Sequence, residues 1–428
     1  MSGGAILRGA SMSSFLFDAS VIAHGLTGQA LARTGVYRYA NSLLRAMAME
    51  CSWSSDQSLI TLLPQVDRQQ RLAFKSELES WPVRLPQILG GAVLPFRASS
   101  WLQRLLGGRV ASGLERRIQM ATLQYRLKEL LRIAPIDPVY FTPYDLAPRL
   151  PPSPCLRRVI CIHDLIPVLF PEHCQSSSRE FFSRLQLQLP GVDGIICVSN
   201  STRDDLLRWL PQLDCKPIAV IPHAVDDCFS HGYCSQDLSL LADFGLGDKQ
   251  YILSVGTLEP RKNLGTLLTA YAKLTGRLGE AVPRLVLCGP AGWGGLALQD
   301  QIRSLQLEGK VLLTGFVANE VLAALYRCAV CFVFPSLYEG FGLPVLEAIS
   351  SGTPVLSSNH PAMAEVLGEA ALTFNPLDAD QLSVQLERII QDQELQQHLR
   401  LLGLDRAQQF SWESSARQTI AFARSLRR

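Results

Sequence analysis

Short apolar runs rich in branched residues recur along the whole chain, each followed by a stretch with helical spacing, and the pattern occurs twice over. In the first half the runs are "FLFDAS" (15–20), "SLITLL" (58–63), "PVYFTP" (138–143), "RVICIHD" (158–164), "GIICVS" (194–199) and "PIAVIP" (217–222), with helical patterns such as Val36–Met49 and Thr202–Leu210 between them. The second half repeats the theme through "YILSVG", "RLVLCG", "KVLLTG", "VCFVFP", "PVLS" and "ALTF". Strands that alternate with helices predict parallel sheets covered by helices on both faces. At 428 residues the chain exceeds one ordinary core, so the expected architecture is α/β, with two Rossmann-like domains facing across a cleft.

The polar stretch 223–250, with Asp226, Asp227, Gly232, Ser235 and Gly245, reads as the linker between a first domain over 15–222 and a second over 251–408. Residues 1–14 read as an N-terminal extension. Residues 409–428 read as a terminal helix, with Ser411 as its N-cap and basic residues at its end.

With 47% hydrophobic and 18% charged residues, the chain reads as globular rather than disordered or membrane-spanning. A net charge of +2 gives a nucleic-acid partner no support. Residues 85–134 differ locally, with eight basic side chains against two acids among Leu, Trp and Phe. That mixture suits peripheral contact with an anionic membrane, and equally an ordinary amphipathic helix with a solvated basic face. Eleven scattered cysteines fit a reducing compartment. Cys328 and Cys331 form a C-x-x-C with no second pair to complete a zinc set, so buried thiols are expected and no metal site. Asp18 interrupts the early apolar run, so no signal peptide is read and a cytoplasmic location is expected.

Dehydrogenase chemistry is resisted by the strand ends. "FLFDAS" is not followed by G-x-G-x-x-G, Gly256 is followed by Thr, Leu and Glu, and no P-loop is present. The segment "SLYEGFGLPVLEAISSGTPVL" (336–356) points elsewhere. Pro344 suits the first turn of a helix, so Gly340 and Gly342 fall in the turn between a strand end and that helix, where free N–H groups favour an anion. Glu339 and Glu347 flank the turn and would repel a phosphate, so as ligand contacts they are suited to hydroxyls: Glu347 to a ribose diol, Glu339 to a sugar. An anion with hydroxyls on both sides is a nucleotide-sugar. The plainer reading makes Glu339 a turn residue and Glu347 a first-turn acid favoured by the helix dipole. In "SVGTLEPRKNLGTLLTAY", Arg261 and Lys262 precede a helix with Asn263 as a suitable N-cap, placing two cations at a carboxyl strand edge. His163 and Asp164 end a first-domain strand at the corresponding edge.

Together, "RTGVYRYANSLL", "HDLIPVLFP", "CVSNSTRDDL", "IPHAVDD", "VGTLEPRKNL", "LTGFVANEVLAALYRCA" and the 336–356 segment resemble the retaining GT-B glycosyltransferases of family four, especially bacterial mannosyltransferase-like members. The resemblance implies a donor-binding second domain and a terminal helix that returns to the first. It also implies that Arg261 and Lys262 hold the diphosphate, Glu347 holds the ribose, and Glu339 with the Phe341–Leu343 backbone meets the transferred sugar and phosphate. His163 would face the sugar, Gly35 matches the position where the family brings backbone close to donor or acceptor, and Gly256 is counted with the donor-binding residues. His223 stands where the family often has Asn and is taken as a linker variation without consequence for chemistry. The implied reaction is metal-independent transfer of a hexosyl group from a nucleotide-sugar, GDP-mannose by preference, to a glycan or lipid-linked glycan. An epimerase or phosphorylase on the same scaffold, and a silent nucleotide-sugar-binding subunit, are the alternatives.

Overall fold

The computed structural model describes residues 13–27, 35–52, 57–63, 66, 68–81, 87–90, 139–143, 156–174, 176–232, 236–292 and 295–426, with isolated positions between 117 and 129. Residues 1–12 of the expected extension, and nearly all of the basic stretch 85–134, lie outside the described residues.

The described strands form two wholly parallel sheets. The first contains β1 (Ser13–Asp18), β2 (Gln57–Leu63), β3 (Gln87–Gly90), β4 (Val139–Thr142), β5 (Arg157–Ile162), β6 (Gly194–Cys197) and β7 (Ile218–Val220), in the order β3-β2-β1-β4-β5-β6-β7. The second contains β8 (Tyr251–Val255), β9 (Arg284–Cys288), β10 (Val311–Gly315), β11 (Cys331–Phe334), β12 (Val355–Ser358) and β13 (Ala371–Phe374), in the order β10-β9-β8-β11-β12-β13. Every residue of β4, β6, β11 and β12 is buried, as strands covered on both faces require. Chain direction across each sheet reverses once, between β1 and β4 and between β8 and β11. Crevices for ligands open at such switch points, outside the carboxyl ends of the strands.

The stretch expected as a linker carries structure of its own. Its helix Asp237–Leu241 packs on the helix Asn319–Cys328, where Arg327 grips the fully buried Asp237 through two bonds of 2.7 Å and donates to the Cys228 carbonyl at 3.0 Å. The helix Trp412–Ser425, capped by Ser411 accepting from Ser414 N–H at 3.1 Å, crosses back and packs on the first-domain helix Gly35–Ser52. Ser415 Oγ donates to the Pro222 carbonyl at 2.8 Å, so the two chain crossings are fastened together. A Cβ at Gly194 would lie 2.6 Å from Leu426 Cδ1, which is why the returning helix can press so closely on β6.

Asn263 departs from expectation. It adopts the left-handed region at φ 55° and does not cap the backbone of the following helix. Its Nδ2 instead donates to the carbonyls of Pro335 and Pro376, at 3.1 and 2.6 Å, tying the ends of β11 and β13 together.

Candidate active site

At the carboxyl ends of β8 and β11 the structure gathers Arg261, Lys262 and Glu339. Arg261 Nη1 and Lys262 Nζ approach Glu339 Oε1 at 2.8 and 2.6 Å, and Ser336 Oγ donates to the same oxygen at 2.6 Å. Arg261 also pairs with Glu259 at 2.6 Å and donates to the Tyr338 carbonyl at 2.6 Å. Burial by itself would raise the Glu339 carboxyl, but Arg261 and Lys262 outweigh it and hold it at about 2. Burial lowers the Lys262 ammonium, with Glu339 opposing. The carboxylate thus gathers both cations and the Ser336 hydroxyl on one oxygen.

His163 reaches this loop from the first domain. A Cβ at Gly340 would fall 1.8 Å from the His163 carbonyl oxygen, so only a glycine lets the two domains meet here. His163 Nε2 lies 2.7 Å from the Pro143 carbonyl; since a carbonyl only accepts, Nε2 carries the proton and Nδ1 is left as an acceptor. Burial pushes His163 down to about 4, so it is neutral near pH 7. Gly342, at φ 103°, opens the helix Leu343–Ser350 in a conformation that L side chains rarely adopt. Gly35 begins the helix Gly35–Ser52 against this turn, its Cβ position 3.8 Å from Leu343 Cδ1.

Glu347 sits one turn into the Leu343–Ser350 helix and is 2% exposed. Arg38 Nη2, from the first domain, stands 2.7 Å from Glu347 Oε1, and Tyr326 Oη donates to Oε2 at 3.0 Å. Oε1 is enclosed without an aligned hydrogen bond, so the contact with Arg38 is chiefly Coulombic. Burial raises the Glu347 carboxyl, with Arg38 and Tyr326 opposing. Arg38 stacks over Phe229 at 5.2 Å and lies 3.8 Å from Asp226, which accepts from Ser42 Oγ at 2.7 Å. Sequence reasoning missed Arg38, although it stands inside the quoted "RTGVYRYANSLL".

A cavity of about 760 Å³ opens between the Gly35–Ser52 helix and the ends of β8, β9 and β10, lined by Arg38, Ser42, Asp226, Gly256, Gly289 and Phe316 among others. That volume suits a nucleotide-sized ligand. Gly256 lines it with φ 153°, its Cβ position 3.2 Å from Lys262 Cε.

His223 is packed into the domain junction: it is 4% exposed and stacks on Tyr39 with ring centroids 4.6 Å apart, 5.2 Å from His163 and 5.0 Å from Phe341. Neither ring nitrogen makes a hydrogen bond, and burial drives its pKa well below the usual value. The Cys328 and Cys331 thiols are buried, pushed up to about 11 and 12 by burial. Among the described residues there is no group of three or more metal-ligating side chains, and no helix is long and apolar enough to cross a membrane.

Two doubly wound parallel sheets enclosing a cleft, with cations at one carboxyl edge and a histidine at the other, define the GT-B class of glycosyltransferase. A profile for glycosyl transferases group 1 matches residues 242–401 and one for glycosyltransferase family 4 matches residues 96–228. The chain is 35% identical over 265 residues to O-antigen chain mannosyltransferase B of Escherichia coli, a match covering 62% of this chain and 69% of the relative. It is 30% identical over 281 residues to the serotype-specific mannosyltransferase WbdA of Escherichia coli, covering 61% of this chain and 33% of that much longer protein. Similar folds include sucrose-phosphate synthase from Thermosynechococcus elongatus (TM-score 0.67, 19% identity, 97% and 99% of the two chains) and Anabaena HepE in complex with UDP and glucose (TM-score 0.63, 17% identity, 96% and 100%). The chain belongs to the group 1 glycosyltransferases, and it is a glycosyltransferase enzyme.

Proposed function

We propose that this enzyme is a retaining transferase that moves a mannosyl group from GDP-mannose to a glycan or lipid-linked glycan without a metal ion. It would work in the cytoplasm, peripherally at the inner face of the membrane. The observation that carries the reading is the cluster of Arg261 and Lys262 on Glu339 at the β8/β11 switch point, opposite His163. As the sugar C1–O bond breaks, negative charge grows on the departing diphosphate, and two fixed cations stabilise it without reorganising. The acceptor hydroxyl enters on the face the diphosphate leaves and passes its proton to a leaving phosphate oxygen. His163 Nδ1 accepts from a sugar hydroxyl. Glu347 receives the ribose diol, sharing its carboxylate with Arg38. Mannose as the transferred sugar is supported by the names of the relatives, and a surface-glycan acceptor by the O-antigen relative.

The test is a thermal-shift titration with GDP, UDP, ADP and their sugar conjugates, repeated on Glu347→Ala. A ligand at 100 times its Kd adds about 2.7 kcal/mol of stability. GDP and GDP-mannose are expected to shift the wild type and not the variant. A shift by UDP compounds alone would overturn the donor assignment; no shift by any nucleotide would favour a silent subunit. Product formed without any acceptor would mark an epimerase instead.

A further inference from the structure

The Gly340 carbonyl, in the middle of the glycine turn, is held from the other domain. Ser199 Oγ donates to it at 2.6 Å and Thr202 Oγ1 at 3.0 Å, both groups buried. Ser199 also caps the Asn200–Trp209 helix by accepting from Thr202 N–H at 3.0 Å. One turn further along, Asp205 accepts from Tyr338 Oη at 2.6 Å, and Glu365 of the second domain accepts from the N–H groups of Asn200 and Ser201 at 2.7 Å each. This first-domain helix thus grips the second domain at three places, two on the loop at Tyr338 and Gly340 and one on the helix Pro361–Leu367.

A trans peptide is planar, with its C=O and N–H pointing in opposite directions. Two donors on the Gly340 oxygen therefore fix the plane of the Gly340–Phe341 peptide and turn the Phe341 N–H away from the Asn200–Trp209 helix. That N–H, and those of Gly342 and Leu343 beside it, make no hydrogen bond to a described residue. Hydrogen bonds to a carbonyl also polarise the peptide and strengthen its N–H as a donor. We propose that Ser199 and Thr202 are positioning residues that aim the Phe341 N–H at the β-phosphate of the donor, so that the phosphate-binding turn is complete only when the two domains are closed. This rests on the nucleotide-sugar reading above. Neither hydroxyl touches the donor; each acts through the peptide.

The experiment compares the affinity for GDP with that for GMP, and for UDP with UMP, by calorimetry on the intact protein. The ratio of the two isolates what the β-phosphate gains. Wild type is expected to prefer the diphosphate. In Thr202→Val, which keeps the side-chain shape, that preference should fall roughly three- to ten-fold, the scale of one hydrogen bond, with monophosphate affinity unchanged. Ser199→Ala/Thr202→Val should fall further, and Thr202→Ser should restore the wild-type ratio. General destabilisation would weaken both nucleotides together and leave the ratio alone. An unchanged ratio in Thr202→Val, in a protein whose wild type does prefer diphosphates, overturns the proposal while sparing the donor reading. A wild type with no preference for diphosphate in either pair overturns both. If Ser199→Ala fails to fold through loss of its cap, Thr202→Val and Thr202→Ser still decide.

Discussion

Replacing Arg38 by Met keeps most of the aliphatic stem and removes the charge facing Glu347. Glu347 is the buried end of that pair at 2% exposed, whereas the Arg38 side chain retains 21%. Removing one partner of a buried ion pair usually costs about 3–5 kcal/mol. Here the loss has a ceiling, because the carboxyl can take up a proton. From an unfolded pKa of about 4.3, protonation costs about 3.7 kcal/mol at pH 7, about 1 kcal/mol at pH 5 and about 5 kcal/mol at pH 8. Burial already raises the Glu347 carboxyl, and losing Arg38 removes an opposing influence. Between the unfolded pKa and the raised folded one, the folded state binds more protons than the unfolded, so stability falls as pH rises. The other groups around Glu347 are Tyr326, which continues to donate to it, and Asp226, whose charge raises it further. Urea denaturation of wild type and Arg38→Met at pH 5, 6, 7 and 8 should show a deficit of about 1 kcal/mol or less at pH 5 that widens by about 2 kcal/mol or more by pH 8. Adding Glu347→Gln to Arg38→Met should flatten the trend. A deficit that stays constant with pH, or narrows as pH rises, would refute the assignment of Arg38 as the charge that opposes protonation of Glu347.

Arg261→Met and Lys262→Met should each lower transfer about 100-fold or more if these cations stabilise the departing diphosphate; turnover within tenfold of wild type in a sugar-transfer assay removes them from that role. Gly340→Ala would place a methyl 1.8 Å from the His163 carbonyl oxygen and must push the domains apart there. Faster amide exchange at the start of the Asn200–Trp209 helix is expected, and wild-type exchange would mean the loop absorbs the clash. Asp237→Ala leaves the 11%-exposed Arg327 guanidinium without its carboxylate, and a loss of about 3–5 kcal/mol in chemical denaturation is expected; a loss below about 1 kcal/mol would show that the pair does not fasten the crossing segment.

What could be read from the sequence depended on whether the physics was local. Strands such as "VCFVFP" and "GIICVS" announce themselves because burial on both faces demands unbroken apolar runs. The four-residue edge strand Gln87–Gly90 lacks that signal, and it falls at the start of the stretch 85–134, whose basic side chains suggested a surface instead. Arg261, Lys262 and Glu339 were each visible as candidates, but their convergence on one carboxylate oxygen belongs to the closing of β8 beside β11. Arg38 could be quoted in a motif and still be missed, because its partner lies in the other domain. The surroundings of His223 were hidden for the same reason: nothing beside it in the chain reveals that Tyr39, His163 and Phe341 will enclose it. Asn263 has the composition of an N-cap, yet it sits in the left-handed region, two distant prolyl carbonyls hold its Nδ2, and its Oδ1 accepts from Thr266 Oγ1 at 2.8 Å rather than from a backbone N–H.

The chain passes between the two sheets twice, and the passages are stitched together by Ser415 on the Pro222 carbonyl and by the Trp412 ring near His223. A body joined to another by one strand can swivel in any direction, whereas one joined by two fastened strands turns like a door on a pinned axis. Topologically the second sheet is then a cassette spliced into the first, with both seams at one place. Exchanging the segment between those seams with that of a related enzyme would keep the helix Trp412–Ser425 on the helix Gly35–Ser52, but the incoming segment would have to supply a carboxylate for Arg38 where Glu347 stands.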